Sequence, residues 1–150
     1  MSEGDVAELT GTLSPYLCHC LVSRQIARHV SRIYDRHLAP TGISAGDLAI
    51  FSFVANEKTI AITDLAAMMV LERTTLLRNL RPLIEAGYLE TARDPVKKRQ
   101  HTVSLTKAGE QKRREAQTFW LAAQEEFEQE AGQHNAQDLR GRALHTLGVL

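Results

Sequence analysis

Between residues 13 and 38, apolar side chains fall at positions 13, 17, 20, 21, 27, 30, 34 and 38. That spacing is helical and predicts one amphipathic helix, about 37 Å long at the usual rise per residue. The run Ala39-Pro40-Thr41-Gly42 stops it, because proline and glycine both end helices. Ser44, with Asp47 three residues on, forms a capping-box pair for a second helix. Leu48, Ile50, Phe51, Phe53, Val54 and Ala55 make that helix apolar nearly all round, so it is expected to be buried. Residues 56–59 read as a polar loop. Thr63 is expected to cap a short helix from Asp64 to about Met69, with the Asp64 carboxylate at its positive end. A break at residues 70–72 leads into a further helix, residues 73–86, closed by Gly87. Leu89–Arg93 and His101–Leu105 alternate apolar and polar positions and predict two short strands. Thr106 is expected to cap a long amphipathic helix reaching about Ala131, and Asn135 to start a last one.

Two short strands cannot make a sandwich or a parallel sheet. A hairpin directly after a helix-turn-helix pair is the winged arrangement. The predicted fold is therefore mainly α with a small β-hairpin wing, a winged helix-turn-helix. The chain divides into an N-terminal dimerisation helix (1–40), a DNA-binding region (44–105) and C-terminal dimerisation helices (106–150), in one compact domain. The end helices carry apolar stripes with too little chain to cover them, which predicts a homodimer.

On a helical wheel of residues 73–86, Leu76, Leu77, Leu80, Leu83 and Ile84 gather on one side and are expected to pack on the core. Thr74, Thr75, Arg78, Pro82 and Glu85 occupy the other, with Asn79 and Arg81 on the flanks. Such a face suits a major groove: arginine bonds guanine bidentately, asparagine bonds adenine, and threonine meets a thymine methyl or a phosphate. The alternative is a merely solvated face. The neighbouring hairpin shifts the balance toward DNA, its own alternative being a loop kept polar for solubility. Its tip carries Lys97, Lys98 and Arg99 in succession. Three adjacent cations repel one another, and their placement makes sense against phosphates or in a minor groove. Pro82 removes one helical hydrogen bond and is expected to bend the helix near Arg78.

Composition adds a constraint. The formal net charge is zero, yet residues 72–114 hold eleven basic and five acidic side chains, a local excess of 11 − 5 = +6. Distribution, rather than the total, governs nucleic-acid binding. Double-stranded DNA is the expected partner. Cys18 and Cys20 are the two cysteines, too close together for a structural framework, so a reducing cytoplasm is the expected setting. The acidic start is no secretory signal. The longest apolar run, residues 66–71, is far short of the roughly 18 residues of a membrane span. No phosphate loop, paired carboxylates or Ser-His-Asp set suggests catalysis, and no cofactor is expected.

Residues 62–110 resemble the MarR family of bacterial winged-helix regulators. The resemblance rests on Ile62-Thr63-Asp64-Leu65-Ala66, Glu72-Arg73-Thr74-Thr75, Arg78-Asn79-Leu80-Arg81-Pro82-Leu83, Glu85-Ala86-Gly87-Tyr88-Leu89 and Val103-Ser104-Leu105-Thr106-Lys107-Ala108-Gly109. Upstream, Arg32-Ile33-Tyr34-Asp35 and residues 38–44 look similar too. The resemblance implies a triangular dimer on a pseudo-palindromic operator, each recognition helix in a major groove and each wing in a minor groove. Thr63, Arg73, Thr74, Thr75, Arg78, Asn79, Arg81, Lys97, Lys98 and Arg99 are the implied DNA-binding residues, and repression the implied role. One departure is visible. The family wing often has an aspartate before two arginines, where this chain has Lys97-Lys98-Arg99, and Asp94 is the available substitute.

The resemblance also suggests inputs. Some family members sense organic hydroperoxides through a cysteine near the start of the first helix, close to tyrosines. By its spacing to Tyr34, Cys20 is similar to that cysteine, although Arg24 stands where a second tyrosine would fall. A small aromatic or phenolic effector is the other family input, with Tyr16, His19, Phe51 and Phe53 as candidate lining and Cys18 nearby. Cys18, His19 and Cys20 cannot share a metal ion within one helix, because residues two apart point about 200° apart. Two readings from other classes remain: a thiol enzyme turning over peroxide at Cys20, and a winged-helix module used for protein contacts.

Overall fold

A computed structural model of the chain describes residues 14–97 and 100–149. The first helix, α1, runs over His19–Leu38, starting later than the apolar spacing predicts. Pro15–Leu17 form a separate 3-10 turn, and Cys18 is extended (φ −84°, ψ 105°). The Cys18 sulfur accepts the Leu21 amide at 3.4 Å, satisfying one of the donors that a helix start leaves free. Residue 13 of the expected helix lies outside the described residues.

At the other end, the Thr41 hydroxyl donates to the Leu38 carbonyl at 2.6 Å, and Gly42 turns the chain with φ 75°. Helix α2, Ala45–Glu57, opens on the predicted capping box. The Asp47 amide donates to Ser44 Oγ at 3.1 Å, and the Ser44 amide donates to Asp47 Oδ2 at 2.8 Å. Asp35 of α1 accepts the Ala45 amide at 2.7 Å, so α1 holds the start of α2.

Residues 56–59 do not form the expected polar loop. Helix α2 continues to Glu57, and β1, Thr59–Ala61, follows at once. This strand is too short to show a period of two. It exists through long-range pairing, with Ile60 opposite Val103 and its side chain buried. Thr63 is not a cap. Helix α3, Ile62–Met68, begins with Ala61 at its N-cap, because β1 delivers Ile62 directly into the core, and Thr63 is its second residue.

Val70 (φ 54°) makes the turn after α3. Helix α4 is Arg73–Glu85 and continues through Pro82. Gly87 (φ 76°) then releases the chain into β2, Leu89–Arg93, and β3, His101–Leu105. The sheet has three antiparallel strands in the order β1-β3-β2, one more than the sequence predicts. Thr106 caps α5, Lys107–Ala131, by accepting the Gly109 amide. Gly132 (φ 82°) breaks the chain, and α6, Gln133–Thr146, starts two residues before Asn135.

The core gathers Leu38, Phe51, Val54, Leu65, Leu76, Leu80, Leu89 and Val103, each essentially inaccessible. Burying each such side chain contributes about 1.5–3 kcal/mol. The Phe51 and Tyr88 rings meet edge to face, 6.0 Å between centroids. Helices α1 and α5 pack antiparallel, with His29 against Glu130 at 2.7 Å and His37 against Glu126 at 2.6 Å. Large exposed apolar side chains recur on the terminal elements: Tyr16, Leu17, Val22, Leu121, Leu139 and Leu147. Among the described residues, no single helix is long and apolar enough to cross a membrane.

Candidate nucleic-acid interface

Leu76, Leu80 and Leu83 are buried and anchor α4. Their spacing turns Thr74, Arg78, Asn79, Arg81, Pro82 and Glu85 outward, where all are exposed, while Thr75 is half-buried. Arg81 is partly engaged, its Nε 2.8 Å from Glu85 Oε1. Arg73 and Arg78 make no ion pair among the described residues. Leu77 departs from the expected core face. It is 37% exposed, because it faces a gap between α4 and the sheet that no element fills among the described residues.

The wing is a two-stranded hairpin in which Leu89 pairs with Leu105 and Arg93 with His101. Asp94 organises the tip. Its Oδ1 accepts the Val96 and Lys97 amides, both at 2.8 Å. Its own amide donates to the Gln100 carbonyl at 2.9 Å. The two amides, Lys97 first, hold the Asp94 carboxyl below the usual carboxylate range. Asp94 thus braces the turn that carries Lys97. Lys97 is exposed, whereas Lys98 and Arg99 lie outside the described residues. The anchored helix and the wing tip therefore put Thr74, Arg78, Asn79 and Lys97 on accessible surface. Thr63 is exposed on α3.

The candidate input residues do not converge. Tyr16, Cys18, His19 and Cys20 are exposed at the start of α1, and both thiols are free. Phe51 is sealed in the core and Phe53 is half-buried against it, so Phe51 lines no cleft. Its helix is apolar nearly all round and is surrounded by other elements. Tyr34 stands fourteen residues from Cys20, about 21 Å along one helix, so the two do not meet within a chain. The Tyr34 hydroxyl donates to Gln124. Burial and then Glu128 raise its pKa, with Arg140 opposing. Among the described residues, no cluster of three metal-ligating side chains occurs.

Two features escaped the sequence pattern. Lys112 of α5 donates to the Thr41 carbonyl at 3.1 Å, pairs with Glu115 at 2.8 Å and lies 5.9 Å from the Tyr88 ring centre. It ties the terminal helices to the reading head. The other is the slot beside Leu77, which depends on depth rather than on helical phase.

Residues 44–109 match the winged helix DNA-binding domain model. The transcriptional regulator MOSR of M. tuberculosis, solved in complex with DNA, aligns with a TM-score of 0.77 and 25% identity, covering 87% of this chain and 94% of that one. A MarR-family transcriptional regulator from Rhodococcus sp. RHA1 aligns with a TM-score of 0.76 and 17% identity, over 85% of this chain and 90% of that one. The chain therefore has the winged-helix fold of these MarR-family regulators. A mutant E. coli MarR complexed with operator DNA aligns at 0.76 and 18% identity, over 84% and 91% of the two chains. No curated protein matches at the sequence level. The segment matched to the domain model begins at the Ser44 cap and ends at Gly109. It therefore contains α4, the Asp94 tip and the Thr106 cap.

Proposed function

We propose that this chain is a MarR-family regulator that binds a pseudo-palindromic operator as a homodimer and represses transcription from it. The observation that carries the reading is the pairing of an anchored helix, outward Thr74, Arg78 and Asn79, with a basic hairpin whose tip Asp94 braces. Arg78 and Asn79 read base edges. Arg73, Thr74, Thr75, Arg81 and Thr63 hold the backbone around them, and Lys97, Lys98 and Arg99 follow the minor groove. Exposed Leu17, Val22, Leu121, Leu139 and Leu147 on the terminal elements support a dimer built there. Two-fold symmetry then sets half-sites about 34 Å apart. The protein works in the cytoplasm and is not an enzyme.

Fluorescence anisotropy against DNA from the gene's own upstream region, with scrambled competitor and several salt concentrations, tests this. Tight, competitor-resistant binding by a dimer is the expected result. Absence of binding at low salt, where phosphate attraction is strongest, overturns it and favours a protein-contact module.

A small aromatic or phenolic effector is the proposed signal. The relative CouR from Rhodococcus jostii RHA1, of the same fold (TM-score 0.74, 15% identity, 89% of this chain and 94% of that one), was solved bound to p-coumaroyl-CoA. A thiol input is the second reading. It is favoured by the placement of both cysteines, free and exposed at the start of α1, with the Cys18 sulfur accepting the Leu21 amide. Stoichiometric consumption of peroxide, once per reactive thiol, is expected of a sensor. Repeated turnover by purified protein instead indicates a thiol enzyme.

A further inference from the structure

A surface lysine keeps its ammonium in water, but the Lys112 side chain is 18% exposed. Its ammonium meets three separate parts of the chain. It donates to the Thr41 carbonyl at 3.1 Å, where the chain leaves α1 through the turn Ala39–Thr41. It lies 5.9 Å from the centre of the Tyr88 ring, within cation–π reach. It pairs with Glu115, one turn farther along α5, at 2.8 Å. The first two partners are themselves fixed. Thr41 is buried and its hydroxyl donates to the Leu38 carbonyl. The Tyr88 ring meets Phe51 edge to face in the core. Holding a long flexible side chain in one geometry costs conformational entropy, and a half-exposed pair with Glu115 alone offsets little of it.

The position of Lys112 gives these contacts leverage. Helices α1 and α5 form one arm, joined by His37 with Glu126 and His29 with Glu130. Lys112 stands at the base of that arm. There it bonds the end of α1 and touches Tyr88, the residue before β2 of the reading head formed by residues 44–105. Ala131, at the far end of α5, lies 131 − 112 = 19 residues away, about 28 Å along the helix. A tilt of about 5° at the base moves that end by about 2.4 Å, approaching the roughly 3.4 Å rise of one DNA base pair. The exposed Leu121 and Leu139 lie on α5 beyond Lys112 and on α6. In a dimer joined there, the tilts of both copies add to the separation of the reading heads.

We propose that Lys112 is a positioning residue that sets the distance between the two reading heads, and so the half-site spacing that the protein accepts. Two recognition helices bind together only where their separation matches that of the half-sites. A base locked by Thr41 and Tyr88 restricts the dimer to one spacing, whereas a loose base accepts several. The proposal rests on the dimeric operator reading above.

Fluorescence anisotropy of the full chain tests it, on the operator located by footprinting and on fragments with one or two base pairs inserted or deleted at its centre. A fragment with a single half-site is the control. The parent is expected to lose about tenfold in affinity per base pair of altered spacing. Lys112→Met, similar in length and uncharged, is expected to lose no more than about threefold per base pair and to bind the single half-site as the parent does. Lys112→Arg, which keeps a charged donor and a planar group able to stack on Tyr88, is expected to restore the parent's spacing profile. Glu115→Ala leaves Lys112 in place without its 2.8 Å partner and is expected to flatten the profile in the same direction, which decides the matter if Lys112→Met does not fold. A Lys112→Met profile identical to the parent's overturns the proposal. An equal loss at every spacing and on the half-site also overturns it, because loss of simple structural support has that signature. A parent indifferent to spacing defeats the two-fold operator reading and this proposal together, whereas a spacing preference shared by parent and variant defeats the role of Lys112 alone.

Discussion

A Cβ on Gly109 would lie 2.0 Å from the Tyr88 carbonyl oxygen, so the first turn of α5 and the approach to β2 are in contact through bare backbone. The same carbonyl accepts the Thr106 amide at 3.1 Å, and the Thr106 hydroxyl donates to the Gly87 carbonyl at 2.6 Å. The wing and the terminal helix are thereby fixed to one another at a single junction. Gly109→Ala meets backbone first, with the Leu105 side chain also too close at 2.8 Å, and must move backbone. A loss of about 3 kcal/mol is expected, read from urea midpoints at constant m. Gly46→Ala, whose Cβ would meet only Ser44 Oγ at an ordinary 3.6 Å, should leave stability unchanged or slightly raised. Equal effects of the two substitutions would discard the junction as the cause.

Arg78 and Lys97 are both exposed and differ in what surrounds them. Arg78 projects from a helix anchored by Leu76, Leu80 and Leu83, which gives it the fixed position that base reading requires. Lys97 sits on a turn and supplies a charge. Arg78→Ala should cost about 1–3 kcal/mol on operator DNA and narrow the gap to scrambled DNA. Lys97→Ala should weaken both sequences alike and flatten the salt dependence. Anisotropy over a salt series separates the two patterns, and an Arg78→Ala effect equal on both DNAs would remove its base-reading role.

Local signals in the sequence located the elements that carry this interface. The Ser44–Asp47 box, the Thr106 cap, Gly87 and the alternation of Leu89–Arg93 and His101–Leu105 all act within a few residues, and each element stands where its signal put it. Strand β1 was not legible, because Ile60 becomes a strand residue only by pairing with Val103, 43 positions away. Thr63 followed from cap chemistry alone, yet β1 fixes the helix start earlier. Leu77 shows the limit of a helical wheel, which gives direction around α4 but not whether anything waits there. Phe51 was assigned both to a buried helix and to an effector cleft, and its complete burial leaves only the first.

Asp94 braces the tip of the wing through backbone amides. Its carboxylate receives two backbone amides and has no role that requires a second oxygen. Asn retains a carbonyl acceptor for such a turn, whereas alanine does not. Asp94→Ala should therefore loosen the Lys97 turn and weaken DNA binding about as much as Lys97→Ala does. Asp94→Asn should recover most of the loss. The carboxyl titrates below its ordinary value, so whatever advantage the parent keeps over Asp94→Asn is present above the ordinary value and disappears as pH falls through the lowered one. An Asp94→Asn variant as weak as Asp94→Ala would mean that charge, not the turn, is what matters.

Glu110 gives a second acid-sensitive element, this one in stability. It accepts from Arg113 Nε and Nη2, both at 2.9 Å, and from Arg114 Nε at 2.9 Å. It also lies in the first turn of α5, where a negative charge is favourable. The Arg113 bond, opposed by desolvation and reinforced by Arg114, lowers its pKa to about 2 from an ordinary 4.5. The unfolded chain therefore binds this proton more readily than the folded one, and stability rises with pH across that interval. The contribution is full above about 4.5 and lost as pH falls towards about 2. The Glu110 side chain is 32% exposed, so solvent screening holds the effect to the surface-pair scale, about 0.5–1 kcal/mol. Glu110→Gln should melt lower than the parent at pH 7, and the two curves should converge by about pH 2. A difference that persists undiminished in acid would assign the role of Glu110 to packing rather than charge.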